Sequence, residues 1–177
     1  MLAIKETGRE DLKNIQSLWA DGEVMRFVGF PEGLQETEEN LERWLEGIAS
    51  ARPQTNHYSI YEDGMYCGET FYSIDPDTLS ASMDIKLFPA ARGRGIASQA
   101  LRFAIGEAFR NGALRCWVDS NPENSKAIAL YRRLGMEQKP MPAQLAQTES
   151  LGFLYFELSH PEENQTKSGE ISEKLES

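Results

Sequence analysis

One run of residues carries most of the chain's chemical potential: Asp84-Ile85-Lys86-Leu87-Phe88-Pro89-Ala90-Ala91-Arg92-Gly93-Arg94-Gly95-Ile96-Ala97. Proline has no amide N–H to give a sheet, so a strand running through Leu87 ends at Pro89. Gly93 and Gly95 permit positive φ and leave no Cβ between the main chain and a ligand. From Gly95 onward the apolar residues Ile96, Ala97, Ala100, Leu101, Ala104, Ile105, Ala108 and Phe109 recur at helical spacing. A turn of this kind aims several backbone N–H groups and the positive end of a helix dipole at one point. That is the chemistry of an anion site, most naturally for phosphate, and Arg92 and Arg94 would add fixed charge beside it. Ser98 stands where a dinucleotide fingerprint would have its third glycine, and the Gly-Lys-Ser/Thr of a P-loop is missing. Taken alone, the run also reads as a tight strand-to-helix turn with solvated arginines.

The elements that would position this turn follow from periodicity. Leu2 to Glu6 alternates as a short strand. Thr7-Gly8-Arg9-Glu10 has the pattern of a capping box, with Thr7 capping and Glu10 reaching back, before a helix that puts Leu12, Ile15, Leu18 and Trp19 on one face. Asp21-Gly22 interrupts it. Glu23 to Pro31 reads as a loop or short helix able to wall a pocket or to pack on a core. A second helix is predicted over Glu36 to Ala49, with Leu41, Trp44, Leu45 and Ile48 in register. Beyond Pro53 the pattern turns to strands. Asp63-Gly64 joins two of them as a hairpin, and Asp75-Pro76-Asp77 leads to another from Leu79 to Phe88. The helix after the glycine turn stops at Asn111-Gly112. A strand over Leu114 to Asp119 follows, then a helix capped by Asn124 and ended at Gly135. A proline-bounded loop (Pro140, Pro142) precedes a last strand over Leu151 to Leu158. The order β-α-α-β-β-β-α-β-α-β-β predicts an α+β domain around a mixed sheet.

Composition sets the class. With 177 residues the chain suits one domain with a proper core, over 1–160, and the polar, acidic stretch 161–177 is too poor in apolar residues to fold alone. A net charge of −10 argues against non-specific binding of nucleic acid or an anionic membrane, and suits a cationic or amine substrate. No apolar run is long enough for a membrane span, and Met1-Leu2-Ala3-Ile4-Lys5 does not open like a signal peptide, so a cytoplasmic protein is expected. Cys67 and Cys116 are far apart and have no ligand spacing, so neither a metal site nor a disulfide framework is expected.

Two motifs carry a resemblance. Arg92-Gly93-Arg94-Gly95-Ile96-Ala97 is similar to the Gln/Arg-x-x-Gly-x-Gly/Ala pyrophosphate loop of the GNAT superfamily of acyl-CoA-dependent N-acetyltransferases. The run from Asn124 through Ala127, Ile128, Leu130, Tyr131 and Leu134 to Gly135-Met136 resembles that family's Asn-x-x-Ala-Ile-x-Leu-Tyr-x-x-Leu-Gly-Phe pattern, with Met136 in place of the phenylalanine. The opening segment with Glu23 to Pro31 resembles, more loosely, the branch that acetylates the N-termini of ribosomal proteins. The fold this implies is a three-layer α/β/α domain whose mixed, mostly antiparallel sheet has about seven strands.

The resemblance also implies a reaction: acetyl-CoA as cosubstrate, and direct transfer to a primary amine, of a small molecule or a protein N-terminus, in a ternary complex. The pantetheine arm would lie where the fourth and fifth strands splay, against the backbone near Leu87 and Phe88. An N–H near Leu87 would stabilise the oxyanion. Arg92, Gly93, Arg94, Gly95, Ile96 and Ala97 would hold the pyrophosphate. Asn124 would reach the pantetheine, cap its helix, or do both. Tyr131 would be the general acid toward the departing thiolate, since a phenol of pKa about 10 keeps its proton at neutral pH. For the general base, Asp119 falls where ribosomal-protein alanine acetyltransferases carry a glutamate. Glu69 or Asp84 could act through ordered water, and each carboxylate also reads as a solvated or ion-paired residue. Ala81 stands where histone-type members keep their base. Family members are often dimers. Two other classes are a degenerate acyl-CoA-binding sensor and a nucleotide-binding α/β domain; the hairpins argue against the latter.

Overall fold

The computed structural model describes residues 1–146 and 152–161; the tail over 162–177 lies outside the described residues. The described strands form one seven-stranded sheet in the order β1-β2-β3-β4-β5-β7-β6. These are β1 (Leu2–Glu6), β2 (Thr55–Glu62), β3 (Met65–Ile74), β4 (Ser80–Leu87), β5 (Arg115–Ser120), β6 (Glu137–Lys139) and β7 (Leu154–Ser159). The helices are α1 (Leu12–Ala20), α2 (Gly22–Met25), α3 (Glu38–Ala51), α4 (Ile96–Arg110), α5 (Ser125–Arg133) and α6 (Ala143–Ala146). Pairing is antiparallel throughout except between β4 and β5. The α+β architecture and the seven-stranded mixed sheet are those expected. No helix among the described residues is long and apolar enough to cross a membrane.

Alternation along the strands gives the sheet two different faces. Tyr58, Tyr72, Met83, Cys116, Val118 and Phe156 point to one side and join Leu101, Ala104 and Ala108 of α4 with Leu130 and Tyr131 of α5 in the main core. The other side receives α1 and α3, whose Trp19 and Trp44 rings meet edge to face at 5.2 Å. Beneath them lie buried polar residues rather than aliphatic ones: His57, Ser59 and Glu69.

Several boundaries differ from the sequence reading for identifiable reasons. Thr7 does not cap the first helix. Its hydroxyl is committed to His57 Nδ1 at 2.8 Å and to Ser59 Oγ at 2.9 Å. The cap moves one residue on, where Asp11 Oδ2 accepts from the Gly8 N–H at 2.9 Å. The second helix runs from Glu38 to Ala51 and is capped by Thr37, whose hydroxyl accepts from the Asn40 N–H at 3.2 Å. Leu79 takes φ +51 in the turn before β4, so that strand starts at Ser80. Leu151 lies outside the described residues, and the last strand starts at Leu154. Asp21 both ends α1 and starts α2, its carboxylate accepting from the Glu23 N–H at 2.8 Å.

Candidate active site

The parallel pairing of β4 with β5 covers only Ser80 to Ser82 against Arg115 to Trp117. Beyond that the strands diverge and a cleft of about 930 Å³ opens between them. Its floor follows from register. Phe88 donates its N–H to Cys67 of β3 at 3.0 Å, and Gly68 stands opposite Leu87. In an antiparallel ladder the backbone groups alternate sides, so those of Met83, Ile85 and Leu87 face away from β3, into the cleft. Two of these groups are satisfied within the chain, the Ile85 N–H by Asp84 Oδ1 at 2.7 Å and the Leu87 carbonyl by Arg92, and an amide-bearing ligand can partner the others. Gly68 lets β3 and β4 lie this close, because a Cβ there would stand 2.0 Å from the Lys86 carbonyl oxygen.

The glycine turn closes one end of the cleft. Gly93 and Gly95 take φ +78 and +79, as the turn requires, and Gly93, Gly95, Ile96 and Ala97 line it where α4 begins. The two arginines do not both face it. Arg94 turns outward to Glu62 at 2.7 Å and is not part of the cleft wall. Arg92 lines the cleft, but its guanidinium donates to Glu23 Oε1 at 3.0 Å and to the Leu87 carbonyl at 3.1 Å. It therefore ties the turn to β4 and to the α2 segment, which forms the opposite rim with Glu23, Val24, Arg26, Phe27 and Val28. Leu87 is on the wall; Phe88 is not, since its N–H is taken by β3 and its ring packs against Tyr66 at 6.3 Å.

The far wall is α5. Asn124 caps it, Oδ1 accepting from the Ala127 N–H at 3.2 Å, and also lines the cleft. Tyr131 sits deeper, 6% exposed, with its ring 5.8 Å from that of Phe156. Burial first, and then the carboxylates of Asp84 and Asp119, push its phenol above the ordinary tyrosine range. All three groups line the same cleft, so the fold brings Tyr131 and Asp119 together with Asp84.

Glu69 lies elsewhere. It is 2% exposed, behind the cleft under α1 and α3, and is not on the wall. Trp19 Nε1 donates to its Oε1 at 2.8 Å, and Lys86 Nζ lies 3.3 Å from the same oxygen. His57 Nε2 is 3.2 Å from Oε2, but out of line for a hydrogen bond, so neither atom has a hydrogen-bond partner. Burial alone would raise the Glu69 carboxyl; Lys86, His57 and the Trp19 N–H overcome it and hold the group at about 2. Burial would likewise lower the Lys86 ammonium, but Asp84 and Glu69 hold it above the usual lysine value. A carboxyl held so low is a weak proton acceptor. The residue that sequence reasoning missed is Lys86. Its signal was available, because a hairpin centred near Asp77 sets Glu69 directly opposite Lys86 as a cross-strand charge pair.

Known proteins share this fold. The sequence profile of the acetyltransferase (GNAT) domain matches residues 2–137. The chain belongs to the GNAT acetyltransferase family and is an acetyltransferase. No curated protein sequence matches it. Solved structures do. An N-acetyltransferase from Staphylococcus aureus Mu50 is 20% identical with a TM-score of 0.73, the match covering 90% of this chain and 98% of that one. A ribosomal-protein-alanine N-acetyltransferase from Brucella melitensis is 21% identical with a TM-score of 0.73, over 89% and 99%. A spermidine N-acetyltransferase from Vibrio cholerae, in complex with CoA and spermine, is 18% identical with a TM-score of 0.74, over 89% and 95%. At these identities the likeness is one of fold.

Proposed function

We propose that the protein transfers an acetyl group from acetyl-CoA to a primary amine, of a small molecule or a protein N-terminus, by direct attack in a ternary complex. The observation that carries this reading is the divergence of β4 from β5, with an anion-type turn at one end and Tyr131 in the wall. Acetyl-CoA, when bound, supplies an activated thioester carbonyl. The carbonyls of Met83 and Ile85 would accept from the pantetheine amides, and the N–H groups of the Gly93–Ala97 turn would bind the pyrophosphate. The Leu87 N–H is the donor for negative charge developing on the carbonyl oxygen. Arg92 holds the turn in shape rather than acting as a free cation, and Asn124 orients the start of α5.

The acceptor amine is mostly protonated at neutral pH and must lose a proton before it attacks. Asp119 takes that proton, directly or through water, with Asp84 facing the same ammonium group from the other strand. Tyr131, kept protonated by its surroundings, gives its proton to the departing thiolate, and the second proton, shed by the nitrogen as the amide forms, returns to the phenol through water. Glu69 acts from behind rather than on the reacting atoms. Such chemistry suits a cytoplasmic enzyme, where acetyl-CoA is available. The test is calorimetric titration with acetyl-CoA, with CoA and NAD as comparators, followed by CoA-thiol release across an amine panel. Acetyl-CoA binding without NAD binding, together with turnover of an amine, is expected. Binding without turnover on any amine would favour the sensor reading instead.

A further inference from the structure

A strip of three charges, Glu69, Lys86 and Asp84, crosses the sheet from the sealed interior to the cleft wall. The β3–β4 register sets Glu69 opposite Lys86, and alternation puts Asp84 on the same face. Lys86 Nζ is 3.3 Å from Glu69 Oε1 and makes a closer ion pair with Asp84. Side-chain exposure rises along the strip, from 3% at Glu69 through 13% at Lys86 to 29% at Asp84. One lysine thus serves two carboxylates, of which only the outer one lines the cleft. A sealed carboxylate is costly, and an apolar pair of the same volume would pack as well or better. Packing therefore gives no reason for the inner charge.

On the acetyltransfer reading, we infer that Glu69 is a positioning residue for the acceptor. By drawing on Lys86 from behind, it leaves Asp84 enough uncompensated negative charge to receive the acceptor's ammonium group. An ammonium entering the cleft has to compete with Lys86 for Asp84. With Glu69 ionised, the lysine's charge is divided between two carboxylates. With Glu69 neutral, Lys86 belongs to Asp84 alone and the acceptor meets a neutralised pair. The other titratable groups facing the strip are His57 from β2, Tyr66 from β3, Asp119 from β5 and Tyr131 from α5. The helices α1 and α3 bring the uncharged rings of Trp19 and Trp44.

The experiment is steady-state kinetics of the wild type, Glu69→Gln and the double variant Glu69→Gln/Lys86→Met. The acceptors are spermidine, phenethylamine and a short peptide with a free N-terminus. The glutamine can still accept from Trp19, so the single variant keeps its packing. It should raise the acceptor KM about tenfold, with a smaller change in kcat and the acetyl-CoA KM within about twofold. The double variant removes the competing cation and should bring the acceptor KM back to the wild-type value or below. A purely structural role would lower kcat with the folded fraction, followed by thermal unfolding, and leave KM alone. An acceptor KM in Glu69→Gln within twofold of wild type overturns the inference, as does a raised KM that persists in the double variant. In both cases the wild type remains active and the acetyltransfer reading stands. A wild type that acetylates none of the three acceptors refutes that reading and this inference together.

Discussion

Replacing Tyr131 with phenylalanine deletes one oxygen and leaves the ring in place. That ring is 6% exposed and lies 5.8 Å from Phe156, so the contact that seats α5 on the sheet survives. The stability cost should be at most about 1 kcal/mol. The catalytic cost should be larger. Burial, reinforced by Asp84 and Asp119, raises the phenol, so the proton is in place at neutral pH but is given up less readily than by a free tyrosine. General acids contribute about 10²- to 10⁴-fold. A thiolate is a fair leaving group without help, which places the expected loss at the lower end, about 100-fold in kcat. At 1.36 kcal/mol per factor of ten this is about 2.7 kcal/mol of transition-state stabilisation. The assay follows CoA-thiol release with a thiol-reactive dye at saturating acetyl-CoA and amine, and calorimetry measures acetyl-CoA affinity in the same variant. The acetyl-CoA Kd should stay within about twofold, because the hydroxyl is not used to bind the ground state. A phenol pKa raised above its ordinary value of about 10 also means no Tyr131-dependent fall in kcat below that pH. A Tyr131→Phe variant whose kcat is within threefold of wild type would refute the acid assignment. So would a wild-type decline in kcat near pH 8 that disappears in the variant.

Three further outcomes test the rest of the reasoning. Lys86→Met leaves Glu69 buried without its cation and should lower stability by about 3–5 kcal/mol, most of it regained in Glu69→Gln/Lys86→Met; urea unfolding measures both. The Glu69 carboxyl is held at about 2 in the folded protein against an ordinary value of 4.5, a depressed pKa. Its contribution, about 3 kcal/mol, is therefore fully present above pH 4.5 and lost as pH falls toward 2. Unfolding midpoints between those pH values should fall more steeply for wild type than for Glu69→Gln, and parallel curves would contradict the depressed value. Gly95→Val forces a β-branched residue to φ +79, at a cost of about 1–3 kcal/mol. The nearest atom to a Cβ there is 3.9 Å away, so strain and intrusion on the anion position, not crowding, should weaken acetyl-CoA binding more than tenfold by calorimetry.

Local signals carried much of this protein on their own. A proline at 89, two glycines at 93 and 95 and a helical apolar pattern after them dictate strand, turn and helix wherever the chain folds, because each acts through its own backbone. The same holds for Asp63-Gly64, where φ values of +50 and +82 close the β2–β3 hairpin, and for Asn124 as a cap. Tyr131 and Asp119, singled out through the motif and the strand end they occupy, both line the cleft.

What sequence alone could not decide is where long side chains and competing partners end up. Arg92 and Arg94 look alike beside the glycines, yet one lines the cleft, braced by Glu23 and the Leu87 carbonyl, while the other leaves for Glu62. Each partner comes from an element distant in the chain. Thr7 has every local feature of a helix cap, but a buried histidine and serine on β2 claim its hydroxyl. Glu69 and Asp84 are both strand carboxylates with a lysine between them. Only the packing of α1 and α3 over one face makes the first a sealed charge held at about 2, while the divergence of β5 leaves the second open to the cleft. The sequence by itself determined most of the local turns and elements, because turns, caps and periodicity are short-range. The tertiary structure decided which charges meet, because burial and pairing depend on residues the chain brings together from far apart.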